Sequence, residues 1–257
     1  RMPDKAIRTR KITGQGVPVI VFDRGDYRGL VMAESPELIQ GYRNQGRALD
    51  FRFEYLEAHL AATFVSPEPK KVLCLGLGVG AIPHLLKSLY PTVHIDAVEL
   101  NDTVVHAAYT HFGLDSLTKL EVYTQCAADF LRQCDASMYD LVFADCYDAF
   151  GIPAACRTQD FFKNTKKVMT IGGLLIANLI PKKRGVEAAF LGWKTAFHGG
   201  IVIPGVRKSN RTFVGRRQTP IDVKAALDKA CVYEAGSSKH KFTSTLQRAI
   251  SADRYRD

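Results

Sequence analysis

The sequence lacks the features that mark several classes of protein. Its six cysteines form no CxxC pair and its seven histidines show no metal-ligand spacing, so neither a disulfide framework nor a metal site is predicted. No apolar run approaches the length of a membrane helix, and no secretory signal opens the chain. These absences predict a cytoplasmic protein with reduced cysteines, no bound metal and no membrane association.

Charge is present but unevenly distributed along the 257 residues. The formal net charge is +9, yet residues 71–160 carry 11 acidic and 5 basic side chains, a net charge of −6. Residues 161–257 carry 19 basic and 6 acidic side chains, a net charge of +13. The acidic segment suits a cationic ligand such as a sulfonium or an amine. The basic segment is either a solvated surface or a contact for an acidic protein or RNA; no nucleic-acid-binding motif accompanies it, so a nucleic-acid partner is not favoured.

The chain is organised around a glycine-rich turn. Val72–Leu75 is a short apolar run of strand-forming residues, and the chain then carries Gly76, Gly78 and Gly80 before an amphipathic helical pattern. Glycine permits positive φ and lets a ligand approach the backbone closely. The next predicted strand ends at Glu99, nineteen residues after the last of these glycines, where a carboxylate can bind two ribose hydroxyls.

The glycine pattern is compatible with two kinds of nucleotide ligand, an adenosyl compound or NAD. Gly76-x-Gly78-x-x-Ala81 also matches the fingerprint of dinucleotide-binding domains, so NAD is an alternative. From Lys71 onward strand and helix alternate, which predicts a parallel sheet. The alternation closes on a β pair at residues 200–204 and 211–216. This order is that of S-adenosylmethionine-dependent transferases, and an NAD domain is expected to continue with helical crossovers.

Domain boundaries are predicted from composition and turn signals. Within the N-terminal part, residues 34–46 are polar and predicted as a loop, and Leu49–Phe64 is predicted as a helix. The C-terminal part is predicted to begin with a helix whose capping hydroxyl is Thr219. The three predicted regions are an N-terminal β-hairpin and helix (1–66), an adenosyl-binding domain (67–218) and a C-terminal helical extension (219–257).

A second acidic site follows the fourth predicted strand of the main domain. Asp145 ends this strand and Asp148 lies three residues later. Ligands of open α/β sheets sit beyond the carboxyl ends of the strands, so Asp145 is expected to face the same crevice as Gly78 and Glu99. Two carboxylates at this spacing can hold an amine and accept its proton. Capping of the loop is the alternative role for Asp148, since aspartate favours turns.

With these motifs, residues 71–180 resemble the spermidine synthase family of the S-adenosylmethionine-dependent methyltransferase superfamily. The matching segments are Val72–Gly80, Ile95–Leu100, Tyr139–Asp145 and the DxxD motif of Asp145 and Asp148. The resemblance implies an α/β, Rossmann-like methyltransferase fold, with a mostly parallel seven-stranded sheet and a small N-terminal β region. The N-terminal β region is expected to cover a site or to form an oligomer contact, which is compatible with a homodimer.

The resemblance assigns roles to individual residues. It implies that the donor is S-adenosylmethionine or its decarboxylated form, with no metal. In aminopropyl-transferring members, the aspartate that matches Asp145 takes a proton from the attacking amine, and the tyrosine that matches Tyr55 faces that amine; Asp148 completes the catalytic set. The implied donor-binding residues are Gly76, Leu77, Gly78, Gly80, Glu99, Leu100, Cys126, Ala127 and Asp145.

Two positions depart from the aminopropyl-transferring members. Those enzymes carry an aspartate inside the glycine turn, where this chain has Val79, and another after the third strand, where it reads Gln125-Cys126-Ala127. The first loss removes a partner for the ammonium of decarboxylated S-adenosylmethionine. We therefore expect methyl transfer from S-adenosylmethionine to an amine, with an amine on a protein as one candidate acceptor. The alternatives are an aminopropyltransferase that makes polyamines, a non-catalytic adenosyl-binding homologue and an NAD-dependent enzyme.

Overall fold

The structure of the protein is a computed structural model that describes residues 8–47, 50, 53–205, 210–235 and 241–255. Its helices are α1 (Glu54–Thr63), α2 (Ala81–Leu89), α3 (Asp102–Phe112), α4 (Ala127–Gln133), α5 (Gln159–Val168), α6 (Val186–Ala196), α7 (Val223–Ala235) and α8 (Phe242–Leu246). Its strands are β1 (Arg8–Ile12), β2 (Val19–Arg24), β3 (Tyr27–Met32), β4 (Ser35–Asn44), β5 (Lys71–Leu75), β6 (His94–Glu99), β7 (Leu120–Thr124), β8 (Tyr139–Ala144), β9 (Met169–Leu179), β10 (Ile201–Pro204), β11 (Arg211–Arg216) and β12 (Ile250–Ser251).

The described residues form two compact units. The first contains those within Arg1–Phe53 and Cys74–Ala127, and the second contains those within Glu54–Leu73 and Ala128–Asp257. Strand β5 contributes its last two residues to the first unit and its first three to the second. None of the helices described is long and apolar enough to cross a membrane.

The first unit opens with an antiparallel sheet in the order β1-β2-β3-β4. Gly25, at φ +58°, makes the tight turn between β2 and β3. The prediction of a loop at residues 34–46 is wrong, because Ser35–Asn44 is the edge strand β4. Its side chains are mostly half-buried or exposed, and its pairing with β3 shifts register twice, so its sequence shows no clean apolar alternation.

The rest of the first unit is built from β5, β6 and β7, in that order, with α2 and α3. Strands β6 and β7 are parallel. Helix α3 begins at the cap Asn101, whose side chain accepts a hydrogen bond from the Thr103 N–H, and ends at Gly113, at φ +69°. The buried core of this unit joins β2, β3 and α3 through Val19, Val21, Leu30, Val79, Val104, Ala107 and Phe112.

In the second unit the strands follow the order β12-β10-β11-β9-β8-β5. Strand β9 pairs parallel with β8 and antiparallel with β11, so the sheet reverses direction there. The main sheet has eight strands where seven were predicted. The additional strand is β12, two residues that pair antiparallel with β10 and are too short to leave a pattern in the sequence.

Strand β9 begins at Met169 and contains Gly172 and Gly173, where its pairing with β8 shifts register. Helix α7 begins at Val223, and its cap is Asp222, whose carboxylate accepts a hydrogen bond from the Ala225 N–H at 3.0 Å, so the cap predicted at Thr219 is wrong. The predicted start of α1 at Leu49 lies outside the described residues.

Candidate functional site

The glycine turn of the first unit joins β5 to α2. Gly76, Gly78 and Gly80 have φ values of +96°, +54° and +72°, which only glycine adopts without strain. A Cβ atom at Gly78 would meet no atom within 4 Å, so the backbone there is open to a ligand. At Gly80 a larger residue is also excluded by packing, because a Cβ atom there would lie 2.6 Å from Leu114 Cδ1.

Glu99 fixes this turn from the end of β6. Its Oε2 accepts hydrogen bonds from the backbone N–H groups of Leu77 (3.1 Å) and Gly78 (3.3 Å). Its Oε1 accepts hydrogen bonds from those of Leu100 (2.9 Å) and Asn101 (3.1 Å). Four backbone amides thus orient one carboxylate beside the open glycine. Glu99 therefore organises the turn as well as presenting a negative charge there.

The remaining predicted donor-binding residues of this unit lie near the same strand end. The N–H of Gln125, just beyond β7, donates a hydrogen bond to the main-chain carbonyl of Glu99 at 3.0 Å, which places Cys126 and Ala127 next in the chain. The side chain of Leu100 is 69% exposed. An open backbone, an oriented carboxylate and an exposed apolar side chain are groups that suit a nucleoside with its sugar hydroxyls and base.

Asp145 lies in the second unit, directly after β8. Asn178 of the neighbouring strand β9 donates a side-chain hydrogen bond to Asp145 Oδ1 at 2.8 Å. The hydroxyl of Tyr55, on the first turn of α1, is also hydrogen-bonded to the Asp145 carboxylate. Burial and the Asp145 charge raise the pKa of Tyr55 well above its usual value, so the phenol stays a hydrogen-bond donor. The predicted pair of Tyr55 and Asp145 is therefore together in the structure.

Asn178, Asn210 and Tyr147 complete this site and were not predicted. Asn210 donates a hydrogen bond to Asn178 Oδ1 at 2.9 Å, which leaves the Asn178 amide nitrogen directed at Asp145. The Tyr147 hydroxyl donates to the Asn178 carbonyl and accepts from the Ile180 N–H, both at 3.0 Å. One signal was available in the sequence: a single asparagine within the apolar run of β9, since a buried polar side chain needs partners.

The carboxylate of Asp148 caps its own loop and forms one ion pair with a residue outside it. Its Oδ1 accepts hydrogen bonds from the N–H groups of Phe150 (2.7 Å) and Gly151 (2.8 Å). Its Oδ2 pairs with the guanidinium of Arg184 at 2.6 Å, with both side chains partly exposed. This is the loop-capping geometry that the sequence analysis left open as an alternative.

His59 lies one turn of α1 after Tyr55. Its side chain is 1% exposed, and its ring makes edge contacts with the rings of Tyr55 (5.1 Å between centroids) and Phe143 (5.8 Å). Burial lowers the pKa of His59 to about 3, so the ring is neutral at physiological pH. It packs beneath Tyr55 as an uncharged aromatic group.

A pH dependence of stability follows from His59. In the unfolded chain this histidine binds a proton below pH 6.5, whereas in the folded protein it does so only near pH 3, so stability falls as pH falls through that window. The loss between pH 6.5 and pH 5 is about 2 kcal/mol from this residue. The variant His59→Phe keeps an aromatic ring but cannot bind this proton. Between pH 7 and pH 5 we expect its free energy of unfolding, measured in urea, to fall by about 2 kcal/mol less than that of the wild-type protein. An identical pH dependence in both proteins would show that His59 is not buried in its neutral form.

Within the part of the chain that the structure describes, no group of three or more His, Cys, Asp or Glu side chains is placed to hold a metal ion.

The fold identifies the class of protein to which the chain belongs. The described architecture is an α/β Rossmann-like methyltransferase fold, with a mostly parallel sheet and a small antiparallel N-terminal sheet. It matches the crystal structure of a probable spermidine synthase from Corynebacterium glutamicum with a TM-score of 0.74 at 16% identity, over 86% of each chain. The profile of the spermine/spermidine synthase domain matches residues 52–180. The chain therefore belongs to the spermine/spermidine synthase domain family, as the resemblance predicted.

Two curated relatives are polyamine aminopropyltransferases. The one from Vibrio vulnificus is 29% identical over 164 residues, which cover 62% of this chain and 55% of the relative. The one from Streptococcus pneumoniae is 31% identical over 145 residues, which cover 54% of this chain and 49% of the relative. The chain thus spans about half the length of these relatives.

These relatives overturn the expectation of methyl transfer, which is wrong. That expectation depended in part on Val79, and the structure explains why this part of the argument failed. Val79 is 2% exposed and packs in the apolar cluster with Val19, Val21 and Leu30 of the N-terminal sheet. The packing of this core therefore explains a valine at position 79 without reference to the charge of the donor.

Proposed function

We propose that the chain transfers an aminopropyl group from decarboxylated S-adenosylmethionine to an amine acceptor and so forms a polyamine. The observation that carries the proposal is the carboxylate of Asp145, which is oriented by hydrogen bonds from the Asn178 amide and the Tyr55 hydroxyl. The family assignment supports an adenosyl donor over NAD. Cytoplasmic location and a homodimer stay predictions.

The first unit is proposed to hold the donor. Glu99 would bind the ribose hydroxyls, and the open backbone at Gly78 would let the donor approach the turn. Leu100 and the Cys126–Ala127 segment would contact the adenine. When bound, the donor supplies a sulfonium, which makes the adjacent carbon susceptible to attack by an amine.

The second unit is proposed to activate the acceptor. The amine nitrogen forms a bond to the carbon next to the sulfonium, the carbon–sulfur bond breaks, and methylthioadenosine leaves with the electron pair. Asp145 accepts the proton that the amine loses. Tyr55 and Asn178 donate hydrogen bonds that orient this carboxylate, and Asp148 orders the loop that follows it. The protein thus contributes mainly positioning and charge.

Glu99→Ala tests the donor assignment. Since it removes two charge-assisted hydrogen bonds to the ribose, we expect decarboxylated S-adenosylmethionine to bind about 2–4 kcal/mol more weakly in calorimetry. That corresponds to an affinity lower by about 30- to 1,000-fold. The matched control is Glu121→Ala on the neighbouring strand β7, where the exposed carboxylate accepts a hydrogen bond from the Tyr123 hydroxyl. We expect less than about a twofold change there.

The loss of Glu99 also frees four backbone amides, so the variant has to be shown to fold by thermal unfolding before its affinity is compared. A folded Glu99→Ala protein with wild-type donor affinity would refute the ribose assignment and leave Glu99 only its part in shaping the turn.

A further inference from the structure

Two cysteines of the second unit lie together beside the proposed catalytic carboxylate. Cys146 directly follows Asp145, and Cys156 lies in the short 3-10 helix Ala154–Arg157. The Cys146 thiol is hydrogen-bonded to the sulfur of Cys156. Neither cysteine is part of a disulfide in the structure. Their contact is therefore between two reduced sulfurs, at the start and the end of one loop.

The loop between these cysteines is already a closed turn. The N–H of Asp148 donates to the carbonyl of Gly151 at 2.9 Å, and the Asp148 carboxylate accepts from the N–H of the same glycine. The N–H of Ile152 donates to the carbonyl of Arg184 at 2.8 Å, which anchors the far side of the turn. These bonds order the middle of the loop, and because Cys146 and Cys156 are close in the sequence, a covalent link between their sulfurs closes only a short loop.

Both cysteines line one small cavity. Its volume is about 10 Å³, room for about one molecule the size of water, and Asn178 and Trp193 also line it. The indole Nε1 of Trp193 is buried and has no hydrogen-bond partner among the described residues, while the whole side chain is 2% exposed. An unsatisfied buried N–H on a residue that lines a cavity of this size is a possible hydrogen-bond donor for one water molecule.

We propose that Cys146 and Cys156 are a disulfide-forming site that responds to hydrogen peroxide. The sulfur of Cys156 attacks one peroxide oxygen, the oxygen–oxygen bond breaks, and Cys156 becomes a sulfenic acid as water is released. The sulfur of Cys146 then attacks the oxidised sulfur, the sulfur–oxygen bond breaks, and a second water leaves. Two thiols and one peroxide thus give one disulfide and two waters, with the thiols oxidised by two electrons.

The chemistry of the pair favours Cys156 as the first site of attack. The hydrogen bond from Cys146 lowers the pKa of the Cys156 thiol, against the opposing effect of burial. A lower pKa increases the fraction of the reactive thiolate. Two of the four other cysteines differ: burial raises the pKa of the Cys74 thiol, and Cys231 is exposed on α7.

The disulfide is expected to reduce activity, and this consequence rests on the proposed function. Cys146 is bonded to Asp145 in the chain, and Asn178, which orients Asp145, lines the same cavity. Drawing the two sulfurs to bonding distance therefore displaces the proposed base. We expect at least a tenfold loss of aminopropyl transfer on oxidation and full recovery with dithiothreitol.

Peptide mapping of the whole protein tests the pairing without relying on activity. Cleavage by chymotrypsin after Tyr139 and Phe150 places Cys134, Cys146 and Cys156 on three different peptides. After treatment with hydrogen peroxide and alkylation, we expect the Cys146 and Cys156 peptides to be disulfide-linked and the Cys134 and Cys231 peptides to be alkylated. A Cys156 sulfinic acid with Cys146 alkylated, or both cysteines alkylated, would overturn the proposal.

Two variants connect the disulfide to activity. Cys156→Ala is expected to keep its activity in peroxide, whereas the control Cys231→Ala is expected to lose activity as the wild-type protein does. Equal inactivation of Cys156→Ala and the wild-type protein would contradict the effect on turnover. If the reduced wild-type protein transfers no aminopropyl group, the proposed function fails, and the peptide map still decides whether the disulfide forms.

Discussion

Replacing Asp145 by asparagine is expected to lower turnover by a factor of about 10²–10⁴, the usual contribution of a general base. The amide has the shape of the carboxylate and can still accept the hydrogen bond that Asn178 donates to Oδ1. It cannot take a proton from the attacking amine, so the loss is confined to the chemical step. Steady-state kinetics with a short diamine, together with a thermal unfolding curve close to wild type, would show this.

Asp148→Asn is the matched control for this prediction, because it is the same substitution three residues away. The asparagine oxygen can still cap the N–H groups of Phe150 and Gly151, and only the partly exposed ion pair with Arg184 is lost. Such pairs contribute at most about 1 kcal/mol, so we expect turnover to fall by less than about tenfold. Equal losses in the two variants would contradict a distinct role for Asp145 as the base.

Val79→Asp is expected to lower the free energy of unfolding by about 3–5 kcal/mol at pH 7. The side chain lies in the apolar cluster with Val19, Val21 and Leu30, and its methyl groups fill the space that Gly41 leaves, where a Cβ would be 2.8 Å from Val79 Cγ2. A carboxylate there loses water and gains no cationic partner in that cluster. Urea unfolding measures the loss.

The pH dependence of this variant has a definite sign. A carboxyl group buried among apolar side chains has a folded-state pKa above its unfolded value of about 3.9, so the penalty grows as pH rises above that value. Val79→Thr, which keeps the shape and adds one uncharged hydroxyl, is the control and should cost about 1–3 kcal/mol at every pH. An aspartate variant that is as stable as wild type and binds the donor more tightly would show that position 79 faces the donor.

Most helices and strands between Lys71 and Arg216 could be predicted, because local signals determine them. Helix α2 shows the helical period, with Ile82, Leu85 and Leu86 buried, and the buried strands are short apolar runs bounded by turn residues. Strand β4 could not be predicted, because its half-exposed face carries polar side chains and its pairing contains bulges. The order of the strands in the sheet does not follow from the periodicity, which is a local signal.

The sequence predicts the glycine turn and Glu99 well but does not predict the surroundings of Asp145. Glycine positions and the spacing to Glu99 follow from the backbone geometry of the turn, and both are visible in the sequence. The environment of Asp145 is not, since Asn178 is 33 residues away and Asn210 a further 32. Their contact depends on which strands become neighbours. The role assigned to Val79 failed for the same reason, because only the packed structure shows which way that side chain points.

The measurement that tests the central claim most directly is the identity of the nucleoside product. The purified protein would be incubated with a short aliphatic diamine and, in separate reactions, with decarboxylated S-adenosylmethionine or S-adenosylmethionine, and the products would be identified by mass spectrometry. Aminopropyl transfer predicts methylthioadenosine and an amine extended by one aminopropyl group, formed only from the decarboxylated donor. Adenosylhomocysteine from S-adenosylmethionine, with no methylthioadenosine in the other reaction, would contradict it.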